Sequence, residues 1–171
     1  WTVKFPSMAS KERLIKADKG LVVSVMGIYN RGKTWLVNRL AGSKFSDGYL
    51  VHTNGLSVKT SGDKSNLLFI DTAGANQPVT RDEVDNRAAS EYFLQKLVLH
   101  LSDAVLIVLD ALTLHDQRYI HNLRKAIDRG DMFGDVLKRN IYIIHNYKAL
   151  TKIEDVEEKI KKDIIKCFGA Q

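Results

Sequence analysis

The chain has 171 residues, of which 44% are hydrophobic and 27% are charged, a size and composition that suit one globular domain with a substantial core. No apolar run approaches the ~20 residues that a transmembrane helix needs, and the first residues lack the apolar segment of a signal peptide. The net charge of +6 is scattered along the chain without any nucleic-acid motif or zinc spacing, so we predict no nucleic-acid partner.

Two further features concern the setting of this domain. The chain begins with Trp1 and lacks an initiator Met, so we expect one domain over residues 1–171 that is a fragment of a longer protein. Its single cysteine, Cys167, cannot form an internal disulfide, which fits a reducing compartment. We therefore predict a cytoplasmic location.

The predicted elements alternate between strand and helix along the chain. An apolar run at 21–23 predicts a buried strand, and a helix follows from Trp35 to a glycine C-cap at Gly42. A turn-rich connector at 61–65 joins strands at 56–60 and 67–70 into an antiparallel hairpin. Helices at about 81–102, 115–129 and 153–168 then alternate with buried strands at 104–109 and 141–144. This order predicts a three-layer α/β/α sandwich with a mostly parallel sheet and one antiparallel strand.

The segment 27–34 reads GIYNRGKT and lies between the first strand and the first helix. This is the G-x-x-x-x-G-K-[ST] pattern of a phosphate-binding P-loop, in the context that such a loop requires. Backbone N–H groups at Gly27 and Gly32 can approach phosphate oxygens, and Lys33 can reach the β- and γ-phosphates. The hydroxyl of Thr34 is a ligand for Mg²⁺, so the sequence predicts a magnesium-nucleotide site.

Other candidate residues follow the ends of neighbouring strands, where ligands of open α/β sheets bind. Asp71 ends an apolar strand and can hold Mg²⁺ directly or through water, and Gly74 can offer its N–H to a γ-phosphate. Thr53 lies on the loop before the hairpin, where a hydroxyl can complete the metal coordination and sense the γ-phosphate. Asn146 follows the last strand and is our candidate for contact with the base.

The segments GIYNRGKTWLVNRLAG, HTNGLSV and LLFIDTAG resemble the G domain of the dynamin-like large GTPases, nearest to the guanylate-binding protein and atlastin branch. The resemblance implies a P-loop GTPase that binds GTP and GDP with Mg²⁺, hydrolyses GTP, and acts as a switch with pairing of two G domains through their nucleotide faces. A plain Ras-like domain is the near alternative. The implied nucleotide-binding residues are Gly27, Asn30, Arg31, Gly32, Lys33, Thr34, Trp35 and Asn146. The implied catalytic residues are Lys33, Arg31, Thr53 and Gly74, and the implied metal ligands are Thr34, Thr53 and Asp71.

The chain departs from that family at three positions. Ala149 stands where a guanine-reading carboxylate is expected, which keeps an ATPase open as an alternative. The nearest branch has its catalytic arginine at the position of Asn30, whereas this chain has the arginine one residue later, at Arg31. Ala75 occupies the place of the water-orienting glutamine of Ras-like proteins, and Gln77 is two residues further on. We therefore expect slow intrinsic turnover, with a nucleotide-dependent interaction module of little hydrolysis as the second hypothesis.

Overall fold

The computed structural model describes residues 7–9, 11, 12, 20–42, 55–60, 66–129 and 140–167, and the description below is confined to them. The predicted helix boundaries hold to within a few residues. The observed helices are α1 (Lys33–Ala41), α2 (Val84–Leu101), α3 (Leu114–Asp128) and α4 (Ile153–Lys159). A 3-10 turn (Arg81–Glu83) leads into α2, and a π-helical segment (Ile160–Lys166) continues α4.

The sheet has five strands: β1 (Leu21–Met26), β2 (Leu56–Thr60), β3 (Leu67–Thr72), β4 (Ala104–Leu109) and β5 (Ile141–His145). Their order is β2-β3-β1-β4-β5. β2 and β3 pair antiparallel, whereas β1 pairs with β3 and β4, and β4 with β5, in parallel. The predicted hairpin and the mostly parallel sheet are thus confirmed.

Apolar side chains are buried on both faces of this sheet. On one face Ile70 and Ile107 join Val98 and Leu99 of α2 and Leu123 of α3 in one core cluster. A second cluster joins sheet residues to α1 and consists of Val25, Val37, Ala41, Phe69 and Val108. Helices therefore cover both faces, as the three-layer prediction requires, and the central strand β1 is held in register with its P-loop at the carboxyl edge.

The prediction that the last strand is buried was wrong. In β5 the side chains of Tyr142 and Ile143 are 52% and 42% exposed. β5 stands last in the strand order of the described sheet, with β4 as its neighbour there. A short apolar run has the same appearance in a central and in a terminal strand, so its sequence did not reveal this position.

Within the described ranges, no helix is both long and apolar enough to span a membrane.

Candidate functional site

The P-loop adopts a backbone that depends on its glycines. Gly27 and Gly32 have φ angles of 141° and 84°, and Asn30 between them has φ 59°. A Cβ at Gly27 would lie 2.4 Å from the carbonyl oxygen of Val108 on β4. A Cβ at Gly32 would lie 2.3 Å from the side-chain nitrogen of Asn146. Both glycines thus have a conformation that L-residues rarely adopt, and at Gly27 the Val108 backbone also leaves no space for a side chain.

Lys33 begins α1 and is 6% exposed, with its ammonium group inside the loop. Its Nζ donates a hydrogen bond to the carbonyl oxygen of Ile28, 3.0 Å away. Burial lowers the pKa of Lys33 to about 8, while the charge of Asp71 opposes this shift and that of Arg31 adds to it. The ammonium group is therefore held by the loop at the place where phosphate oxygens would be its strongest partners.

The two predicted metal ligands of the described chain lie together. The Thr34 hydroxyl donates to the Asp71 carboxylate, with 2.7 Å between Oγ1 and Oδ2, and Asp71 is 1% exposed. A hydroxyl and a carboxylate are hard oxygen ligands that suit Mg²⁺, which commonly binds through one or two carboxylates plus phosphates and water. The donor set thus fits the ion. Thr53, the third predicted ligand, lies outside the described residues.

The segment after Asp71 is joined to the P-loop by backbone hydrogen bonds. The Ala75 N–H donates to the Gly27 carbonyl at 3.1 Å, and the Tyr29 N–H donates to the Ala75 carbonyl at 2.9 Å. A Cβ at Gly74 would lie 2.3 Å from the Tyr29 Cα and 3.0 Å from the Lys33 ammonium. Gly74 therefore lies beside Lys33, and its lack of a side chain permits that approach; the contact of its N–H with a γ-phosphate stays a prediction.

Asn146 and Lys148 contact the P-loop from the end of β5. The Asn146 side-chain N–H donates to the Arg31 carbonyl, and the Lys148 ammonium donates to the Asn30 carbonyl, each at 3.0 Å. The structure thus brings Asn146 to the P-loop, and its contact with the base stays a prediction. The contact of Lys148 was missed, although its position two residues after Asn146 was a signal that could have indicated it.

The Arg31 side chain binds two carboxylates of its own chain. Its guanidinium lies 3.5 Å from Asp110, which follows β4, and 3.4 Å from Asp116 in the first turn of α3. The Arg31 side chain is 22% exposed and the Asp116 side chain is fully buried. Both aspartates were missed, because only the fold brings them next to the loop.

One further predicted nucleotide-binding residue, Trp35, lies beside the P-loop. Trp35, in the first turn of α1, is 47% exposed and has the Arg39 guanidinium 5.5 Å from its ring centroid. Trp35 thus has an exposed aromatic surface beside the loop, but no contact in the described chain assigns it to a base.

A cluster on α2 that sequence reasoning missed holds the segment 74–77. The Arg87 guanidinium donates to the Gly74 carbonyl at 3.2 Å and to the Gln77 side-chain oxygen at 3.0 Å. Its Nε also pairs with Glu91 at 3.0 Å, and Glu91 accepts the Asn76 N–H. The backbone of Asn76 is left-handed, with φ 58°. This region is therefore bound to α2 through charged side chains whose spacing alone carried no recognisable pattern.

The chain is similar to known proteins in sequence and in structure. The chain is 28% identical over 153 residues to a heat shock protein of Dictyostelium discoideum, covering 86% of this chain and 23% of that protein. It resembles in structure Era of Aquifex aeolicus bound to GDP·AlF4⁻, with a TM-score of 0.58, 23% identity, and coverage of 87% of this chain and 48% of the Era chain. The chain thus spans less than half of either protein, and the likeness to Era shows the fold alone.

A family profile decides the assignment more directly. The profile of the 50S ribosome-binding GTPase family matches residues 22–146, a region that runs from β1 through the P-loop and Asp71 to Asn146. The comparisons support a P-loop GTPase domain and give no support to the dynamin-like branch, the finer part of the resemblance. The chain belongs to the 50S ribosome-binding GTPase family.

Proposed function

We propose that this domain is a magnesium-dependent switch that binds GTP and hydrolyses it slowly to GDP and phosphate. The observation that carries the proposal is that a buried lysine, a hydroxyl–carboxylate pair and a glycine come together beside the P-loop. Lys33, the Thr34–Asp71 pair and Gly74 all lie at the carboxyl edge of the sheet, on three different segments. Phosphoryl transfer depends mainly on this kind of positioning and charge stabilisation.

Each group has a role in the proposed reaction. The Lys33 ammonium and the loop N–H groups would stabilise negative charge on the β- and γ-phosphates, together with the positive end of α1. Thr34 and Asp71 would hold Mg²⁺, which would supply charge neutralisation on the phosphates, and Thr53 is proposed as a further ligand. The Gly74 N–H would contact the γ-phosphate and so distinguish GTP from GDP.

Guanine is proposed as the base on the strength of the family. Asn146 is proposed to contact it; its side-chain nitrogen carries two hydrogens, and the bond to the Arg31 carbonyl uses one of them. Ala149 provides no carboxylate to pair with the base, so binding selectivity for guanine over adenine is expected to be modest. A cytoplasmic location remains part of the proposal.

A second candidate is a nucleotide-dependent interaction module with little hydrolysis. The observation that favours it is Ala75, which is 7% exposed, bonded through its backbone to the P-loop, and unable to orient a water molecule with its methyl group. In such a module the output would be ordering of the segment 74–77 by the γ-phosphate. Pairing of two copies through their nucleotide faces is the form of output that the dynamin-like resemblance implies.

Calorimetric titration of the purified domain with GTP, GDP and ATP, each with and without Mg²⁺, tests the proposal. We expect GTP and GDP to bind more tightly than ATP, and binding to weaken without Mg²⁺. Lys33→Ala should abolish nucleotide binding, whereas Lys125→Ala, on the exposed side of α3, serves as the matched control. Tighter binding of ATP than of GTP, or unchanged binding in Lys33→Ala, would contradict the proposal.

Phosphate release under single-turnover conditions separates the two candidates. Measurable release from GTP that is lost in Lys33→Ala supports the hydrolysing switch. Binding of GTP without release of phosphate supports the interaction module. A rise in mass with GDP and aluminium fluoride, measured by light scattering, would show that this module acts by dimerisation.

A further inference from the structure

Arg31 is anchored at both its backbone and its side chain. Its carbonyl accepts the hydrogen bond from Asn146, and its guanidinium reaches Asp110 and Asp116 at 3.5 and 3.4 Å. These partners lie on three different segments: Asn146 follows β5, Asp110 follows β4, and Asp116 is in the first turn of α3. One residue in the middle of the P-loop is thus bound to three neighbouring segments.

The charge balance keeps the guanidinium in that position. Asp116 is fully buried and Asp110 is 21% exposed, so the two carboxylates are largely withdrawn from water. If the Arg31 side chain turned away to a phosphate, Asp116 would remain as a buried charge without its cation. That cost opposes any use of Arg31 as a mobile catalytic arginine.

Asp116 also determines how α3 begins. Its carboxylate accepts the Thr113 N–H at 3.0 Å, and the Thr113 hydroxyl accepts the Asp116 N–H at 3.3 Å, which together form a capping box. The same carboxylate therefore caps α3 and binds the P-loop arginine. Displacement of the α3 N-terminus would consequently disturb Arg31.

We propose that Arg31 is a positioning residue that ties the P-loop, through Asp110 and Asp116, to the start of α3, and does not act on the phosphates as a catalytic arginine. The proposal rests on the nucleotide-binding function proposed above and adds a residue that controls the shape of that site. Arg31 acts on nucleotide by holding the loop N–H groups and Lys33 in place. Loss of either carboxylate therefore has the same consequence as loss of the guanidinium.

A double-mutant cycle distinguishes positioning from catalysis. We compare Arg31→Met, Asp110→Asn and the double variant for release of a fluorescent GTP analogue and for single-turnover hydrolysis. If Arg31 is a positioning residue, both single variants release the GTP analogue faster by a similar factor, about tenfold, and any fall in the hydrolysis rate is the same in both. The double variant then has the same release and hydrolysis rates as Arg31→Met. Arg31→Lys, which can pair with one carboxylate at a time, should fall between the wild type and Arg31→Met.

A catalytic arginine gives a different pattern. Arg31→Met would then lower hydrolysis by about 10³-fold or more, and Asp110→Asn would leave hydrolysis unchanged or raise it by freeing the guanidinium. That result would overturn the proposal. Arg124→Met is the matched control, because Arg124 pairs with Asp128 on the exposed side of α3, 81% and 57% exposed.

Hydrogen exchange of the backbone N–H groups of residues 30–33 tests the same link without nucleotide. We expect faster exchange in Arg31→Met and Asp110→Asn, with no further increase in the double variant. Unchanged exchange in both single variants would overturn the proposal. If the wild type bound no nucleotide, the proposed function would fail, and exchange alone would still decide the role of Arg31.

Discussion

Nucleotide affinity should fall as the pH rises above 8, because the lysine of the P-loop loses its proton there. Burial is the main cause that lowers the pKa of Lys33 to about 8, and its ammonium group donates a hydrogen bond to the Ile28 carbonyl. Bound phosphate favours the charged ammonium and raises this pKa. Binding above pH 8 therefore takes up a proton.

The magnitude follows from the protonated fraction of Lys33 in the nucleotide-free protein. With a pKa of about 8, about nine-tenths of the molecules carry the ammonium at pH 7 and about one-tenth at pH 9. The affinity should accordingly fall by about tenfold over this interval, or about 1.4 kcal/mol. At pH 8 about half a proton should be taken up for each nucleotide bound.

Calorimetry in two buffers of different ionisation enthalpy measures both quantities. Lys125→Ala, on the exposed side of α3, is the control: it retains Lys33, so we expect it to show the same fall in affinity and the same proton uptake as the wild type. Equal affinity at pH 7 and pH 9, with no proton uptake at pH 8, would refute the assignment of Lys33 as a buried phosphate ligand with a lowered pKa.

The stability of the nucleotide-free protein should change in the opposite direction. The pKa of Lys33 is lower in the folded state than the usual value of 10.5, so the unfolded state binds more protons at pH values between about 8 and 10.5. The free energy of unfolding from this group therefore rises with pH across that window, by about 1–2 kcal/mol between pH 8 and pH 9.5. Lys33→Met should abolish this rise in urea titrations.

Three further outcomes follow from the contacts described. Gly74→Ala should weaken GTP binding by at least tenfold and lower the free energy of unfolding by about 1–3 kcal/mol, since its Cβ meets P-loop backbone at 2.3 Å; calorimetry that gives wild-type affinity would contradict this. Arg87→Met should slow phosphate release by about tenfold while GDP binds as before, because it frees Gly74 and Gln77; an unchanged release rate would exclude a role for this contact. Leu99→Ala, at 1% exposure, should cost about 2–5 kcal/mol in urea unfolding, whereas Leu101→Ala, at 47% exposure, should cost under about 1 kcal/mol; equal costs would be inconsistent with this packing.

Much of the fold was predictable because its signals are local. Apolar runs of strand length, three-to-four spacing in helices and a turn-rich connector lie within single segments, so their pattern does not depend on the rest of the chain. The strand order was not predicted, and the exposure of Tyr142 and Ile143 followed from it. An apolar run indicates that a strand pairs with a neighbouring strand, but it does not indicate whether the strand has one neighbour or two.

The candidate site likewise contains residues that a local motif predicted and contacts that only the fold creates. The P-loop lysine, Thr34 and Asp71 were identified from a motif and its context, and the structure brings them together, with 2.7 Å between Thr34 and Asp71. Their roles in catalysis and metal binding stay predictions, as does that of Thr53. The contact of Lys148 with the Asn30 carbonyl was missed although its position after Asn146 could have indicated it, whereas the hydrogen bond of Arg87 to the Gly74 carbonyl had no motif to indicate it.

The sequence by itself determined that this protein has a phosphate-binding loop between a buried strand and a helix. The spacing of Gly27 and Gly32, followed directly by Lys33, is a local motif that can be recognised without knowledge of the rest of the chain. Only the tertiary structure shows what the Arg31 side chain contacts beside them. Its partner Asp116 lies 85 residues away along the chain, and the two meet because β4 is the parallel neighbour of β1. Parallel pairing brings the carboxyl ends of both strands to one edge, and with them an arginine and the carboxylates that hold it.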